Sequence, residues 1–164
     1  MSKKKREVLL EEASTEIDAP LQIVVNKCYG GFGLSVEALK MYYELKGITP
    51  FFYSRIYDKD GNAEEYKRIK TSTEETGLST HVVDTDLGPI CSDKDLSDRK
   101  KCKYLSDSGI ERDDPALVKV VKKLKKKANG KFAELHITTI PAGVNWEIGE
   151  YDGQEWVDEK HRSW

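Results

Sequence analysis

The distribution of apolar and polar positions predicts several short strands. Residues 21–25 form an apolar run between Pro20 and a group of glycines, which is the pattern of a buried strand. Residues 132–140 alternate between an apolar and a polar face, as a strand with one side on a core does. Further strands are predicted at residues 50–57, 65–70, 79–83 and 146–151.

Two segments have the helical spacing of apolar positions. The first covers residues 35–46, where Ser35 can cap the first turn and Gly47 can end the helix. The second begins at Asp114-Pro115, a capping side chain followed by proline at the first helical position, and is expected to end at Asn129-Gly130. Its outer face predicts either an anion-binding surface or an ordinary solvated exterior, because it carries Lys119, Lys122, Lys123, Lys125, Lys126 and Lys127.

Two Asp-Gly pairs predict tight turns between antiparallel strands, because both residue types tolerate positive φ. Asp60-Gly61 lies between two predicted strands, and Asp152-Gly153 precedes residues 154–164. We interpret residues 154–164 as a return strand in preference to a final short helix.

These elements predict an α+β fold with a mixed, mostly antiparallel sheet of about five to seven strands and two main helices. Residues 85–111 lack a regular pattern and predict a long surface excursion. Residues 19–164 are expected to form a single domain that follows a flexible arm of residues 1–18.

The composition is that of a soluble globular protein, with 38% hydrophobic and 34% charged residues and a net charge of −2. No run approaches the ~20 apolar residues of a membrane span, and the first residues do not form a signal peptide. Cys28, Cys91 and Cys102 are expected to be free thiols, which fits a reducing cytoplasm.

A glycine-rich loop follows the first strand and precedes the first helix. The sequence lacks the third glycine of a dinucleotide fingerprint, the Gly-Lys-Ser/Thr of a phosphate loop and the Gly-x-Ser-x-Gly of hydrolases. Free amides before a helix can still bind an anion. The alternative is a corner that only allows strand and helix to pack. Cys28 is correspondingly either a nucleophile near a helix start or a small core residue.

The C-terminal segment concentrates acids with one histidine. In the predicted hairpin Glu150 faces Glu155, an unfavourable pair without a cation, an arginine or a shared proton. Three interpretations remain open: a general acid/base pair, a divalent cation bound by Glu150, Asp152 and Glu155, and a surface hairpin whose acids pair with basic residues. Trp164 is expected to pack on the domain.

Two long motifs stand out in the chain. The first is Asn26-x-Cys28-Tyr29-Gly30-Gly31-Phe32-Gly33-Leu34-Ser35. The second closes the chain as Glu150-Tyr151-Asp152-Gly153-x-Glu155-x-Val157-x-Glu159-x-His161-Arg162-x-Trp164. Together these motifs resemble a family of uncharacterised bacteriophage proteins. The likeness covers residues 21–50 and 110–164 and implies a phage protein acting in the cytoplasm of an infected bacterium. The family has no established activity, catalytic residue or cofactor to transfer to this chain, so the catalytic residues and the cofactor stay unknown.

The first functional hypothesis is a protein that binds a phosphate-bearing, nucleotide-like small molecule, with no metal. Its candidate ligand-binding residues are Cys28, Tyr29, Gly30, Gly31, Phe32, Gly33, Ser35, Arg112, Glu150, Tyr151, Asp152, Glu155, His161 and Arg162. The second is a hydrolase or transferase that uses Cys28, or Glu155, Glu159 and His161. The third is a protein that inhibits a host protein by surface contact. We expect no membrane or nucleic-acid partner, and a homo-oligomer remains open.

Overall fold

The computed structural model describes residues 19–62, 65–70 and 80–161. The predicted arm and Trp164 lie outside these ranges. Within them, eight antiparallel strands and three helices confirm the α+β class. In chain order the elements are β1 (Leu21–Asn26), α1 (Val36–Leu45), β2 (Phe51–Ile56), β3 (Glu65–Ile69), β4 (Thr80–Val83), β5 (Ile90–Ser92), α2 (Asp93–Ser97), α3 (Pro115–Leu124), a 3₁₀ turn (Lys125–Ala128), β6 (Leu135–Ile140), β7 (Trp146–Tyr151) and β8 (Gln154–Glu159).

The chain divides into two compact units, and the first contains residues 19–33 and 111–161. In this unit β1 pairs with β6, and β7 pairs with β8. Helix α3 packs on β1, and β8 also contacts β1. The buried apolar residues of these elements form the core of the unit: Ile23, Val24, Val25, Leu117, Val118, Val120, Val121, Ala128 and Leu135.

The second unit, residues 34–110, contains a four-stranded sheet in the order β4-β2-β3-β5. Its helices are α1 and α2, and Ser35 caps α1 by accepting a hydrogen bond from the amide of Ala38. The core cluster of this unit consists of Tyr53, Tyr66, Val83, Cys91, Leu96 and Cys102. Among the described residues of the chain, no helix is both long and apolar enough to span a membrane.

The irregular excursion predicted for residues 85–111 is wrong over residues 90–97, where β5 and α2 occur. Helix α2 begins with a capping box in which Ser92 and Asp95 bond each other's backbone amides. The predicted two-residue turn at Asp60-Gly61 is also wrong. Since Ile56 pairs with Glu65, the connection is longer than a two-residue turn.

Two predicted elements are shorter than expected for identifiable reasons. The second helix leaves regular α geometry at Lys125, which has φ 53° and ψ −128°. The strand predicted from residue 132 begins only at Leu135, where side-chain oxygens accept from two successive amides. The amide of Glu134 donates to Asn26 Oδ1 at 2.7 Å, and that of Leu135 donates to Asn129 Oδ1 at 3.0 Å.

The predicted C-terminal hairpin is confirmed. Strand β8 returns along β7, and Glu150 stands directly opposite Glu155. Asp152 and Gly153 have φ values of 51° and 86°, as a two-residue hairpin turn of type I′ requires.

Candidate functional site

A buried asparagine joins the first strand to two distant segments. Asn26, at the end of β1, has no exposed surface. Its Nδ2 donates to the carbonyl of Cys28 at 2.6 Å and to that of Gly153 at 2.7 Å. Its Oδ1 accepts from the amide of Glu134 at 2.7 Å. The side chain therefore uses both of its polar atoms to tie the glycine loop, the approach to β6 and the hairpin turn together.

Glu155 of β8 forms an ion pair beside this asparagine. Its side chain is only 7% exposed and accepts two hydrogen bonds of 2.8 Å from Arg112. Its Oε2 also accepts from the amide of Asn26 at 2.9 Å. The guanidinium carbon of Arg112 lies 3.4 Å from the ring centroid of Phe32. We call Asn26, Arg112 and Glu155 the polar cluster.

The polar cluster changes the roles expected for two candidate ligand-binding residues. Arg112 and Glu155 neutralise each other in a bidentate pair, so neither presents its charge freely to a ligand. The arginine also explains how Glu150 and Glu155 can stand opposite each other. These two residues hold the hairpin on β1.

The glycine loop, residues 28–33, approaches its neighbours too closely for larger side chains. A Cβ on Gly30 would lie 1.7 Å from the carbonyl oxygen of Phe132. A Cβ on Gly153 would lie 2.6 Å from the amide nitrogen of Gly31. The loop and the hairpin turn are therefore in direct backbone contact, which supports the interpretation of the glycines as a packing corner.

Two amides at the start of α1 are bonded to oxygens of the chain itself. In the second unit, the amide of Leu34 donates to Asp107 Oδ2 at 2.9 Å. The amide of Ala38 donates to Ser35 Oγ at 3.1 Å. The chain's own oxygens take these two donors. An anion site at the glycine amides of residues 30–33 stays a prediction.

The structure does not bring Glu150, Asp152 and Glu155 together as a group of metal-binding side chains. Among the described residues, no group of three or more histidine, cysteine, aspartate or glutamate side chains could hold a metal ion. Both oxygens of Glu155 face Arg112, and Glu150 Oε1 accepts from the amide of Gly153 at 2.6 Å.

His161 lies away from the glycine loop. The contact with the loop is made by the hairpin turn, and β8 runs away from that turn. At about 3.3 Å per residue, the steps from Gln154 to Glu159 span about 16 Å, and His161 follows them. Glu155, Glu159 and His161 therefore do not converge as an acid/base group. Arg162 lies outside the described residues.

An open cleft adjoins the outer side of the glycine loop. Its volume is about 830 Å³, and its lining includes Cys28, Gly30, Lys125, Lys126, Lys131 and Phe132. We call it the cysteine cleft. The ring of Phe132 is exposed, with the Nζ of Lys131 5.4 Å from its centroid. The sulfur of Cys28 lies 3.3 Å from Asn26 Oδ1 and 3.2 Å from the Phe132 carbonyl oxygen, and neither acceptor is a catalytic base.

The chain matches no protein-family model, no curated protein and no solved structure. The function is therefore argued from the geometry of the site. Sequence reasoning missed Asn26, Lys131 and Phe132 as site residues. The position of Asn26 was a usable signal, since a polar residue ending a buried strand needs hydrogen-bond partners. The sequence places Phe132 at the start of a predicted strand and Lys131 just before it, and neither position indicates a binding role.

Lys125 has a backbone conformation that lysine rarely adopts. Its φ of 53° with ψ of −128° lies in a region populated almost entirely by glycine. Such a residue costs about 1–3 kcal/mol and persists where surrounding structure holds it, often at functional sites. Here the strained residue lines the cysteine cleft.

Two further candidates, Tyr29 and Tyr151, lie on the surface. Tyr29 is 66% exposed and Tyr151 is 72% exposed. Tyr29 belongs to the glycine loop, and Tyr151 pairs with Gln154 across the turn that contacts this loop. These rings offer apolar surface for contact with another molecule.

Proposed function

We propose that the chain binds a small phosphate-bearing, nucleotide-like ligand in the cysteine cleft. The observation that carries this proposal is an exposed aromatic ring beside three lysines in one cleft: Phe132 with Lys125, Lys126 and Lys131. The volume of about 830 Å³ is in the range of small-molecule sites. This site retains the loop residues Cys28 and Gly30 and replaces the helix-start cradle with ammonium groups.

Each part of the cleft suits a different part of such a ligand. The ring of Phe132 provides a face on which a base can stack, an interaction worth about 1–3 kcal/mol. The lysines supply charge-assisted hydrogen bonds for phosphate oxygens. Glu134, which also lines the cleft, can accept from ligand hydroxyl or amino groups. Three lysines against this one glutamate favour an anionic ligand.

The test combines calorimetric titration and thermal denaturation with inorganic phosphate and a panel of nucleotides. A panel member at 100 times its Kd should stabilise the protein by ~2.7 kcal/mol. Phe132→Ala and Lys131→Ala should each weaken binding about tenfold, since each removes a contact worth about 1–2 kcal/mol. No binding by any nucleotide, or affinities unchanged in both variants, would refute the proposal.

Lys125→Gly gives a sharper test, because its two effects have opposite signs. Glycine relieves the strain at this position and should raise the melting temperature. Loss of the ammonium group should at the same time weaken nucleotide binding. The matched control is Lys127→Gly in the same 3₁₀ turn, because Lys127 is not among the residues that line the cleft. Equal ligand affinities for the two variants would count against a phosphate-binding role for Lys125.

The same titrations distinguish a binding protein from an enzyme. A binding protein returns the ligand chemically intact after denaturation. The Cys28→Ser variant should also return the ligand intact, and it should bind the ligand with an affinity close to that of the wild type. Altered product that disappears with Cys28→Ser would favour the nucleophile hypothesis. The absence of a base among the two acceptors at the Cys28 sulfur supports binding.

A second candidate function is inhibition of a host protein by surface contact, which the exposed rings of Tyr29 and Tyr151 favour. We place either activity in the cytoplasm of a phage-infected bacterium, on the strength of the two terminal motifs. Affinity capture from bacterial lysate should distinguish the candidates. A partner retained by the wild type and lost with Tyr29→Ala and Tyr151→Ala supports surface contact. Recovery of the expressed chain in the membrane fraction would contradict the cytoplasmic location.

A further inference from the structure

A second cleft lies beside the first part of helix α3, where the described chain enters β1. Its volume is about 610 Å³, and its charged wall is formed by Lys119, Lys122 and Lys123, which we call the lysine trio. Lys122 Nζ donates to Gln22 Oε1 at 2.6 Å, so one lysine is already drawn towards the start of β1. Asp113 is the acidic residue on the same lining. Three ammonium groups against one carboxylate give this cleft a positive potential.

The floor of the cleft is apolar. Pro20 and Leu21 contribute from the chain entering β1, and Pro115 and Val118 contribute from α3. An occupant with both carboxylates and aliphatic side chains would therefore be complementary to the wall and the floor. A purely ionic ligand would leave the floor uncovered.

The chain itself carries such a segment immediately before the cleft. Residues 7–18, which we call the acidic segment, contain no lysine or arginine and have five acids: Glu7, Glu11, Glu12, Glu16 and Asp18. They also contain four larger aliphatic residues: Val8, Leu9, Leu10 and Ile17. The segment is joined through Ala19 to Pro20, which lines the cleft.

We propose that the acidic segment occupies this second cleft in the same molecule, with its carboxylates against the lysine trio. The connection is long enough, since the seven residue steps from Glu11 to Asp18 can span up to ~24 Å. Lys119 and Lys123 are only one helical turn apart, or about 6 Å. Tethering gives the acidic segment an effective concentration in the millimolar range, which favours it over a separate acidic partner.

Cross-linking tests this contact directly in the full chain. Equal amounts of ¹⁴N- and ¹⁵N-labelled protein are mixed, treated with a carbodiimide at low salt and analysed by mass spectrometry. We expect lysine–carboxylate links within one molecule between the acidic segment and the lysine trio, with yields that fall several-fold at 0.5 M salt. Mixed-isotope links, links spread over other exposed lysines, or no links would overturn the proposal.

Charge reversal provides an independent readout that does not depend on cross-linking. Thermolysin cleaves at aliphatic residues, so a bound acidic segment should be cut slowly. Reversing the lysine trio to glutamate should accelerate cleavage at Leu9 and Leu10 several-fold, and Glu11→Lys with Glu12→Lys in the same chain should restore protection. The matched control is Lys100→Glu, an exposed charge reversal elsewhere. Equal cleavage rates in the wild type and in the variant with the reversed lysine trio would refute the proposal. Nucleic-acid binding at the lysine trio, with no protection of the acidic segment from cleavage, would also refute it.

Discussion

Replacement of Glu155 by glutamine should destabilise the protein because it leaves Arg112 without its counter-charge. The wild-type carboxylate receives two hydrogen bonds of 2.8 Å from Arg112 and one of 2.9 Å from the amide of Asn26. Glutamine keeps one acceptor oxygen but presents an NH₂ group where the second oxygen stood. At least one guanidinium N–H would then face another donor.

The geometry sets the size of the effect. Removing one partner of a buried ion pair costs about 3–5 kcal/mol. The Arg112 side chain is 21% exposed, so water offsets part of the loss, and we expect the lower end, about 3 kcal/mol. In a chain of 164 residues this corresponds to a fall in melting temperature of ~6–12 °C.

Chemical denaturation followed by circular dichroism measures the free energy of unfolding, and Glu150→Gln is the matched control. Glu150 stands opposite Glu155, is exposed, and accepts one hydrogen bond, from the amide of Gly153. Its replacement should cost no more than ~1 kcal/mol. Arg112→Met alone and with Glu155→Gln completes a double-mutant cycle. Equal costs for the two glutamine variants, or a coupling energy near zero, would refute the reasoning.

Three further predictions follow from local geometry. Gly30→Ala should lower the free energy of unfolding by ~3 kcal/mol or more, because its Cβ would meet the Phe132 carbonyl oxygen at 1.7 Å. Burial raises the pKa of the Cys91 thiol to about 11, so iodoacetamide at pH 8 should leave it unmodified in the native protein, as read by mass spectrometry. The hydrogen bond from Lys101 holds the pKa of Asp95 well below its usual range. The carboxylate therefore makes its full contribution to the free energy of unfolding above its unfolded pKa of ~3.9, and this contribution is lost as the pH falls through the pKa of the folded protein. The difference in free energy of unfolding between the wild type and Asp95→Asn should accordingly decrease during acid titration.

Each of these predictions has a control or a contrary outcome. Gly143→Ala tests positive φ alone, because Gly143 has φ 77° and nothing within 4 Å of an added Cβ; its cost should be about 1 kcal/mol. Cys28, which is partly exposed, should be alkylated under the conditions that spare Cys91. Rapid native alkylation of Cys91 would show that its burial does not control reactivity. If the difference in free energy of unfolding between the wild type and Asp95→Asn stays constant down to pH 2, protonation of Asp95 does not contribute to acid unfolding.

The parts of the fold that the sequence predicted depend on neighbouring residues. Ser35 and Asp114 cap helices through amides two or three residues away. Asp152-Gly153 turns the chain through its own dihedral angles. These preferences remain visible in sequence because each is satisfied within a few residues.

The parts that were missed depend on residues brought together from far along the chain. Asn26 bonds with Glu134 and Gly153, and Arg112 bonds with Glu155 across 43 residues. Arg112 and Glu155 were identified as candidate site residues, but their pairing with each other could not be read from either local segment. The break at Lys125 had a different cause, since the lysine-rich sequence continues with helix-forming residues and no glycine marks the change.

The distance along the chain between β1 and its partners also has a consequence for biosynthesis. The amide of Asn26 cannot donate to Glu155 until that residue, 129 positions later in sequence, has been synthesised. At about 5–20 residues per second, a ribosome needs ~6–26 s to cover that interval. During this time the apolar β1 segment emerges without β6 or β8, while residues 34–110 are already available to fold. The nascent β1 segment is therefore exposed to aggregation until its partner strands have been synthesised.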